Sequence, residues 1–169
     1  MATSSDSQNR VWTQRGARVP SDMNSSSRTE RGSVESCPVS TTAGERVEWL
    51  TVAALAIGPV PARQEFWLCR DPSCDVVYFG EGGTLVRRAE LHADPGFKAG
   101  STGLVCYCFQ YRRCDLARGY VESGSTQVLK ILRSKIAAGD CACQVRNPSG
   151  RCCLGEARQV VQEMAAAGR

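Results

Sequence analysis

The sequence predicts an α+β fold, with a small β-rich half over residues 37–100 and a helical half over residues 101–169. Short segments rich in aromatic and β-branched residues, bounded by glycine and proline, indicate strands in the first half. Apolar residues at helical spacing indicate helices in the second half. Residues 1–36 are rich in Ser, Thr, Asn and Arg and have no periodicity, so we expect a disordered tail there.

The β-rich half is expected to consist of short strands joined by turns. Strands are predicted over residues 47–49, 64–68, 75–79 and 84–88. A helical turn over 51–57, with Thr51 as its N-cap, should end at the sequence Gly58-Pro-Val-Pro61. Residues 92–103 contain Pro95 and three glycines, which is typical of a linker.

The helical half is expected to contain three helices. The first is predicted over 113–121, before Ser123-Gly124. The second begins after Ser125 as N-cap and stops at Gly139, and the third follows Cys153. The second and third helices carry apolar stripes that are typical of core packing: Val128, Ile131, Leu132 and Ile136, then Leu154, Ala157, Val160, Val161 and Met164.

Cysteine is the unusual feature of the composition, with ten residues in 169 and a single histidine. A disulfide framework would need an oxidising compartment, and the N-terminus carries no recognisable secretory signal. Inert burial explains one or two free thiols, but not two Cys-x-Cys pairs and one Cys-Cys pair. We therefore expect metal ligands that are mostly thiolates, which suit iron–sulfur clusters, zinc or cuprous ion.

Three cysteine motifs occur in an order that resembles a known family. They are Cys69-x4-Cys74-Asp-Val-Val-Tyr-Phe, Val105-Cys-Tyr-Cys-Phe109 and Cys143-x3-Asn-Pro-Ser-Gly-Arg-Cys-Cys-Leu-Gly155. Together they resemble the N-terminal domain of the CopZ copper chaperones and of stand-alone iron–sulfur-binding metallochaperones, from Cys37 to about residue 165. The helical motifs alone also resemble bacterioferritin-associated ferredoxin, in which similar cysteines bind a 2Fe–2S cluster between short helices.

The resemblance implies a helix-turn-helix 2Fe–2S half, and four thiolates are the usual ligands of such a cluster. The implied ligands are Cys106, Cys108, Cys143 and Cys153. Cys141 and Cys152 compete for the last two places, and spacing alone does not choose between neighbours. Helix N-termini at Arg113 and after Cys153, and N–H groups of the Asn-Pro-Ser-Gly turn, are expected to offset the negative charge of the cluster.

The same resemblance implies a zinc-knuckle-like site in the β-rich half. Its implied ligands are Cys37, Cys69 and Cys74. The fourth position, a cysteine in the family, is Ser40 here. Because structural zinc takes four ligands, water, a carboxylate such as Asp71, or the only imidazole, His92, are alternatives for that place. An open fourth position would also suit a transiently bound cuprous or mercuric ion.

These implications favour a cytoplasmic metallochaperone-like protein in copper or mercury handling, with a redox-active 2Fe–2S cluster able to reduce cupric ion before delivery. The alternative is a ferredoxin-type electron carrier without metal cargo, because the Met-x-Cys-x-x-Cys motif of copper chaperones is absent. The leftover thiols Cys114, Cys141 and Cys152 are candidates for binding a cargo ion, and the alternative is that they are buried or spare cysteines. Otherwise the chain would work beside a separate redox or metal-transfer partner.

Charge and hydropathy argue against other classes of protein. The net charge is +4 with no Lys/Arg block, and loading both metal sites would lower it to about +1, so nucleic acid is not indicated. No apolar run approaches the roughly 18 residues that span a bilayer, so no membrane insertion is expected. No Ser/His/Asp set, paired carboxylates or phosphate loop indicates an enzyme. Arginines close to the cysteines are expected to steer an acidic partner: Arg112, Arg113, Arg118, Arg146 and Arg151.

Overall fold

The computed structural model describes residues 35–123 and 127–167. The tail predicted over 1–36 lies outside the described residues except at its end, and so does the predicted cap Ser125. Ser36 forms an antiparallel β-bridge with Ala43, and the carbonyl of Glu35 accepts a hydrogen bond from the N–H of Gly44 at 2.8 Å. Regular backbone pairing therefore begins at least two residues before the predicted boundary.

The fold is α+β, as predicted, and its larger sheet is an antiparallel meander in the order β1-β2-β3-β4. The strands are β1 (Glu45–Val47), β2 (Phe66–Leu68), β3 (Val76–Gly80) and β4 (Leu85–Arg87). The last three match the predicted strands to within two residues at each end. The first prediction is displaced, because Trp49 begins helix α1 (Trp49–Leu55) instead of ending a strand.

Strand β3 is buried on both faces, which explains its unbroken apolar sequence. A register irregularity between Val76 and Tyr78 interrupts the pairing with β4. As a result, Val77 and Tyr78 both join the core under α1, whereas Val76 and Phe79 pack on the opposite side with three cysteines. The sheet therefore separates an apolar core from a cysteine-bearing one.

The helical half consists of a two-stranded ribbon and four helices. These are β5 (Leu104–Cys106), β6 (Tyr111–Arg112), α2 (Arg113–Ser123), α3 (Gln127–Ala137), α4 (Cys143–Arg146) and α5 (Leu154–Ala167). Leu116, Leu129, Leu132 and Val160 form its core with several cysteines. Gly139 adopts φ +81° directly after α3, which fits the predicted stop because glycine takes this conformation without strain. Within the described residues, no helix combines the length and apolar composition that crossing a bilayer requires.

The segment over 92–103, predicted as a linker, is packed into the structure. It forms short 3-10 turns in which Pro95, Gly96 and Lys98 are buried. A Cβ atom on Gly96 would lie 1.8 Å from the carbonyl oxygen of Leu104, so the two backbones touch and only glycine fits. Composition suggested flexibility here, but the glycine instead allows close packing.

Two hydrogen bonds join the β-rich half to the helical half, one from α1 to α4 and one from β3 to the turn that follows α4. The Thr51 hydroxyl donates to the carbonyl of Gln144 at 2.7 Å, and the Tyr78 hydroxyl donates to the carbonyl of Pro148 at 2.8 Å. The prediction of Thr51 as a helix N-cap is therefore wrong, because Thr51 lies inside α1 and bonds across to the residue after Cys143. The β-rich half thus supports the cysteine loops that follow it.

Candidate metal centres

Three cysteines of the β-rich half lie together in the cysteine-bearing core. The sulfurs of Cys37, Cys69 and Cys74 all lie within 4.8 Å of one another, and all three residues are buried. The Cys37 and Cys74 sulfurs are 3.9 Å apart. Two thiolates at about 2.3 Å from one tetrahedral zinc ion would be separated by about 3.8 Å, so this set fits zinc.

Local backbone pairing places each of these thiols. Cys37 opens a turn in which its carbonyl accepts from the Thr41 N–H at 2.8 Å. Cys69 follows β2 and its N–H donates to the Val77 carbonyl at 2.8 Å. Cys74 closes the loop before β3. The site is therefore formed by one N-terminal turn and one hairpin loop, as a knuckle-like arrangement requires.

Ser40 lies beside the three thiols, where the fourth ligand was expected. Its hydroxyl oxygen is 3.3 Å from the Cys69 sulfur. The Asp71 carboxylate instead accepts hydrogen bonds from the N–H and hydroxyl of Ser73, at 2.9 and 2.6 Å. These bonds lower the pKa of Asp71. His92 is exposed and is not part of the three-thiol group. Of the three candidate side chains, only Ser40 contacts a ligand thiol.

The thiols of this centre have different proton affinities. Burial raises the pKa of Cys37, but hydrogen bonds from the backbone and hydroxyl of Ser40 outweigh it and hold the value at about 7. Burial raises the pKa of Cys69, and Lys98 is among the groups that oppose this shift. Ser40 therefore favours the thiolate form of its neighbours even where it is itself a weak ligand.

The four cysteines implied for the cluster form two close pairs in the helical half. The Cys108 and Cys143 sulfurs are 3.7 Å apart, and Cys106 is hydrogen-bonded to Cys153. Among the described residues, only the Cys37, Cys69 and Cys74 group places three or more potential ligand atoms within 4.8 Å of one another. Two pairs at a wider spacing fit a binuclear centre, which takes two thiolates on each metal, better than a single ion.

The competing neighbours differ in exposure and contacts. Cys143 and Cys153 are buried, whereas Cys141 is half-buried and Cys152 is exposed. Cys152 lines an open cleft of about 430 Å³ together with Arg70 and Arg151. Cys143 and Cys153 are thus the more buried member of each competing pair, and each interacts with another of the implied ligands.

The thiols of Cys106 and Cys153 shift each other's pKa in opposite directions. The hydrogen bond from Cys153 lowers the pKa of Cys106 to about 6, and the same bond, with burial, raises the pKa of Cys153. Burial raises the pKa of Cys143 to about 12. The Ala142 N–H donates to the Cys108 sulfur at 3.2 Å.

The Asn-Pro-Ser-Gly turn supports Cys153 differently from the prediction. Its N–H groups bond within the turn and not to sulfur: Ser149 donates to the Asn147 side chain at 3.1 Å, and Gly150 to the Asn147 carbonyl at 2.7 Å. The Asn147 side chain also donates to the Arg151 carbonyl at 2.8 Å. Gly150 has φ +68°, and a Cβ atom on it would lie 2.7 Å from the Thr51 hydroxyl. The turn is therefore held by its own hydrogen bonds and ends three residues before Cys153.

Sequence reasoning gave no role to Tyr78, Asn147 or Lys98. Lys98 is buried, and its ammonium group donates to the carbonyls of Asp71 and Cys74. A lysine inside a presumed linker carries no signal in the sequence, because its partners lie 24 and 27 residues away. The Tyr78 hydroxyl could have been suspected, since a tyrosine in a buried strand usually needs a hydrogen-bond partner.

Comparison with known proteins supports a zinc-binding domain around the three-thiol centre. Residues 34–92 match the zf_CopZ family, described as a zinc binding domain. The chain is 35% identical over 120 residues to the "Copper chaperone CopZ" of Archaeoglobus fulgidus, covering 69% of this chain and 57% of that protein. The matched region therefore spans less than two thirds of the length of this relative.

A solved structure extends the match to the helical half. The X-ray structure of the Archaeoglobus fulgidus CopZ N-terminal domain superposes with a TM-score of 0.59 at 32% identity, covering 75% of this chain and 97% of that one. Sequence and fold therefore agree over the same region. The chain belongs to the family of the CopZ N-terminal domain, and it carries the zinc-binding domain of that family at residues 34–92.

Proposed function

We propose that this chain is a metallochaperone-like protein of copper or mercury handling that holds a zinc ion and a 2Fe–2S cluster and catalyses no reaction of its own. The observation that carries the proposal is the presence of two separate sets of gathered thiols in a CopZ-family chain. A cytoplasmic location is part of the proposal, because thiols with these roles must stay reduced.

Zinc is assigned to the three buried thiols of the β-rich half. The zinc-binding family match and the sulfur spacing support this metal. Cys37, Cys69 and Cys74 provide three thiolates, and Ser40 or a water molecule completes four-coordination. With no strong fourth ligand, exchange of the ion should be faster than at a four-cysteine site.

The cluster is assigned to Cys106, Cys108, Cys143 and Cys153. Their arrangement in two pairs supports this set over one that contains Cys141 or Cys152. A bound 2Fe–2S cluster would supply one-electron chemistry. The chain's own part is to hold four thiols in place: α4 begins at Cys143 and α5 directly after Cys153, so helix N-termini face the negative charge of the thiolates.

Metal analysis of anaerobically purified protein tests both assignments. We expect about two irons and one zinc per chain, a red-brown colour and visible charge-transfer bands. Colourless protein that holds zinc alone after reconstitution with iron and sulfide would refute the cluster. Protein with iron but no zinc would refute the zinc site.

A ferredoxin-type electron carrier without cargo is the second candidate. It is favoured by the shortage of soft ligands outside the two assigned sets, since in the described residues the remaining thiols Cys114, Cys141 and Cys152 form no three-ligand group. Cuprous-ion titration of fully loaded protein separates the candidates. Binding of one cuprous ion without loss of zinc or iron supports the chaperone, and its absence supports the carrier.

A further inference from the structure

Lys98 is a buried cation in the segment that packs against the loop of the three-thiol site. It is 6% exposed and is the only charged side chain among the buried polar residues in the described ranges. None of the salt bridges formed by the described residues involves it. A buried charge without an ion pair is strongly unfavourable, so we expect a negative charge close to it.

Two anionic groups of the neighbouring loop can supply that negative charge: the thiolates of the three-cysteine site, and the carboxylate of Asp71, which lies within electrostatic reach of Lys98. The Lys98 ammonium group donates to the carbonyl of Cys74 at 2.9 Å and to that of Asp71. Both residues lie in the loop that follows Cys69 and closes the three-thiol site. The cation is therefore bonded to the backbone of one of the three cysteines, Cys74, and of the loop that closes their site.

The Lys98 charge can balance the net charge that a divalent ion and its three thiolates would carry. Three thiolates and one zinc ion carry a net charge of −1, and one ammonium group brings the total to zero. Ser40 is neutral, whereas a cysteine in its place would make the site −2. The ring of Phe97, 5.6 Å from the ammonium group, further stabilises the cation where it lies.

We propose that Lys98 is the charge-balancing residue of the Cys37, Cys69 and Cys74 site, a positioning residue that stabilises the anionic metal–thiolate complex from the adjacent loop. The proposal rests on zinc ligation by these thiols. It gives the 92–103 segment, which lies beyond the zinc-binding family match, a part in the site. It also gives a reason why three thiolates and a hydroxyl suffice there.

Zinc affinity measured by chelator competition in the full chain tests the role of the charge. Lys98→Arg keeps the charge, Lys98→Gln keeps N–H donors without the charge, and Lys98→Met removes both. Lys130→Met, at an exposed position of α3, is the matched control. We expect Lys98→Arg and the control to bind zinc within about threefold of the wild type, and Lys98→Gln and Lys98→Met to bind about tenfold more weakly.

The same substitution in a Ser40→Cys variant separates a charge effect from a structural one. If Lys98 only supported the fold, the fold-loss of zinc affinity would be the same with and without Ser40→Cys. A site at −2 should depend on the cation more than a site at −1, so Lys98→Gln should cost a larger fold-loss of zinc affinity there than in the wild type. Full affinity in Lys98→Gln, or an equal fold-loss in both backgrounds, would overturn the proposal. Wild-type protein that binds no zinc would refute the zinc site itself, whereas tight zinc binding that ignores Lys98 would refute this inference alone.

Discussion

The two cysteine centres use different means to hold negative charge. The three-thiol centre lies in the core behind the sheet, within a half that carries six Lys or Arg and eight Asp or Glu over residues 37–100. The paired centre lies among helices in a half with ten Lys or Arg and five Asp or Glu over residues 101–169. The first centre therefore needs a buried cation of its own, Lys98, whereas the second lies in a basic half and next to the N-termini of α4 and α5.

The buried polar residues show how the two centres depend on each other. In the described part of the chain, Thr51, Lys98, Asn147 and Ser149 are the polar or charged side chains that are buried. Each of them bonds to the backbone of a loop that bears a cysteine or leads directly to one. Thr51 lies in the β-rich half but supports the loop after Cys143. Because this bond joins the two halves, we expect unfolding of the β-rich half on loss of the first centre to harm the second centre as well.

Replacing Cys153 should have the largest effect on the paired centre. Cys153→Ala removes a buried thiol that contacts Cys106, so we expect nearly complete loss of iron with zinc retained. Cys152→Ala removes an exposed thiol and should leave the iron content unchanged. Iron and zinc analysis of both variants checks the expectation. Greater iron loss from Cys152→Ala would place the ligand register one residue earlier.

Removing zinc should destabilise both halves. Because binding of a structural zinc ion contributes directly to folding, Cys69→Ser should lower the melting temperature by on the order of 10 °C and reduce the iron content as well. Cys114→Ser, in α2 and outside both centres, is the control and should change neither quantity. Melting curves with metal analysis measure both quantities. Full iron content in a zinc-free Cys69→Ser protein would contradict the dependence of the second centre on the first.

Local sequence patterns were sufficient for most of the fold. Strand composition located β2, β3 and β4, and helical spacing with Gly139 located α3. The patterns failed where tertiary contacts decide the outcome. Trp49 looks like a strand residue, yet it begins a helix whose Val52 is buried against the sheet. Thr51 looks like a cap, yet its hydroxyl has a partner 93 residues away.

The cysteines of the candidate sites could be named from the motifs, but their surroundings could not. Three motifs in order placed the cysteines, and the contacts among Cys37, Cys69 and Cys74 depend on a hairpin that the strand pattern predicted. Lys98 and Tyr78 act through backbone carbonyls, and a carbonyl is present at every residue. No residue type therefore identifies their partners before the fold is known.

The bond from Thr51 should make a moderate and measurable contribution to the joint between the halves. Thr51→Val keeps the shape but leaves the Gln144 carbonyl without this donor, so we expect a loss of about 1–2 kcal/mol in the free energy of unfolding. Thr102→Val removes an exposed hydroxyl bond to the Ala99 carbonyl and should cost under about 0.5 kcal/mol. Denaturant unfolding compares the two variants. Equal losses would mean that the buried joint is no stronger than a surface contact.

The smallest effect is expected at Ser40, where the two centres can be made more alike. Ser40→Cys would give the β-rich half four thiols, and a fourth thiolate completes the tetrahedral shell that structural zinc prefers. Opposing this gain, the new thiolate adds a negative charge beside one balancing cation, and the variant loses the hydroxyl that, with the backbone of Ser40, lowers the pKa of Cys37. Because the Ser40 hydroxyl already lies 3.3 Å from the Cys69 sulfur, the added ligand needs little rearrangement. We therefore expect a net gain of about tenfold in zinc affinity, or about 1.4 kcal/mol, measured by chelator competition. Ser73→Cys is the control, because the Ser73 hydroxyl bonds Asp71 and not one of the three thiols. Equal affinity in the wild type and Ser40→Cys would mean that the serine hydroxyl, assisted by Lys98, already completes the shell.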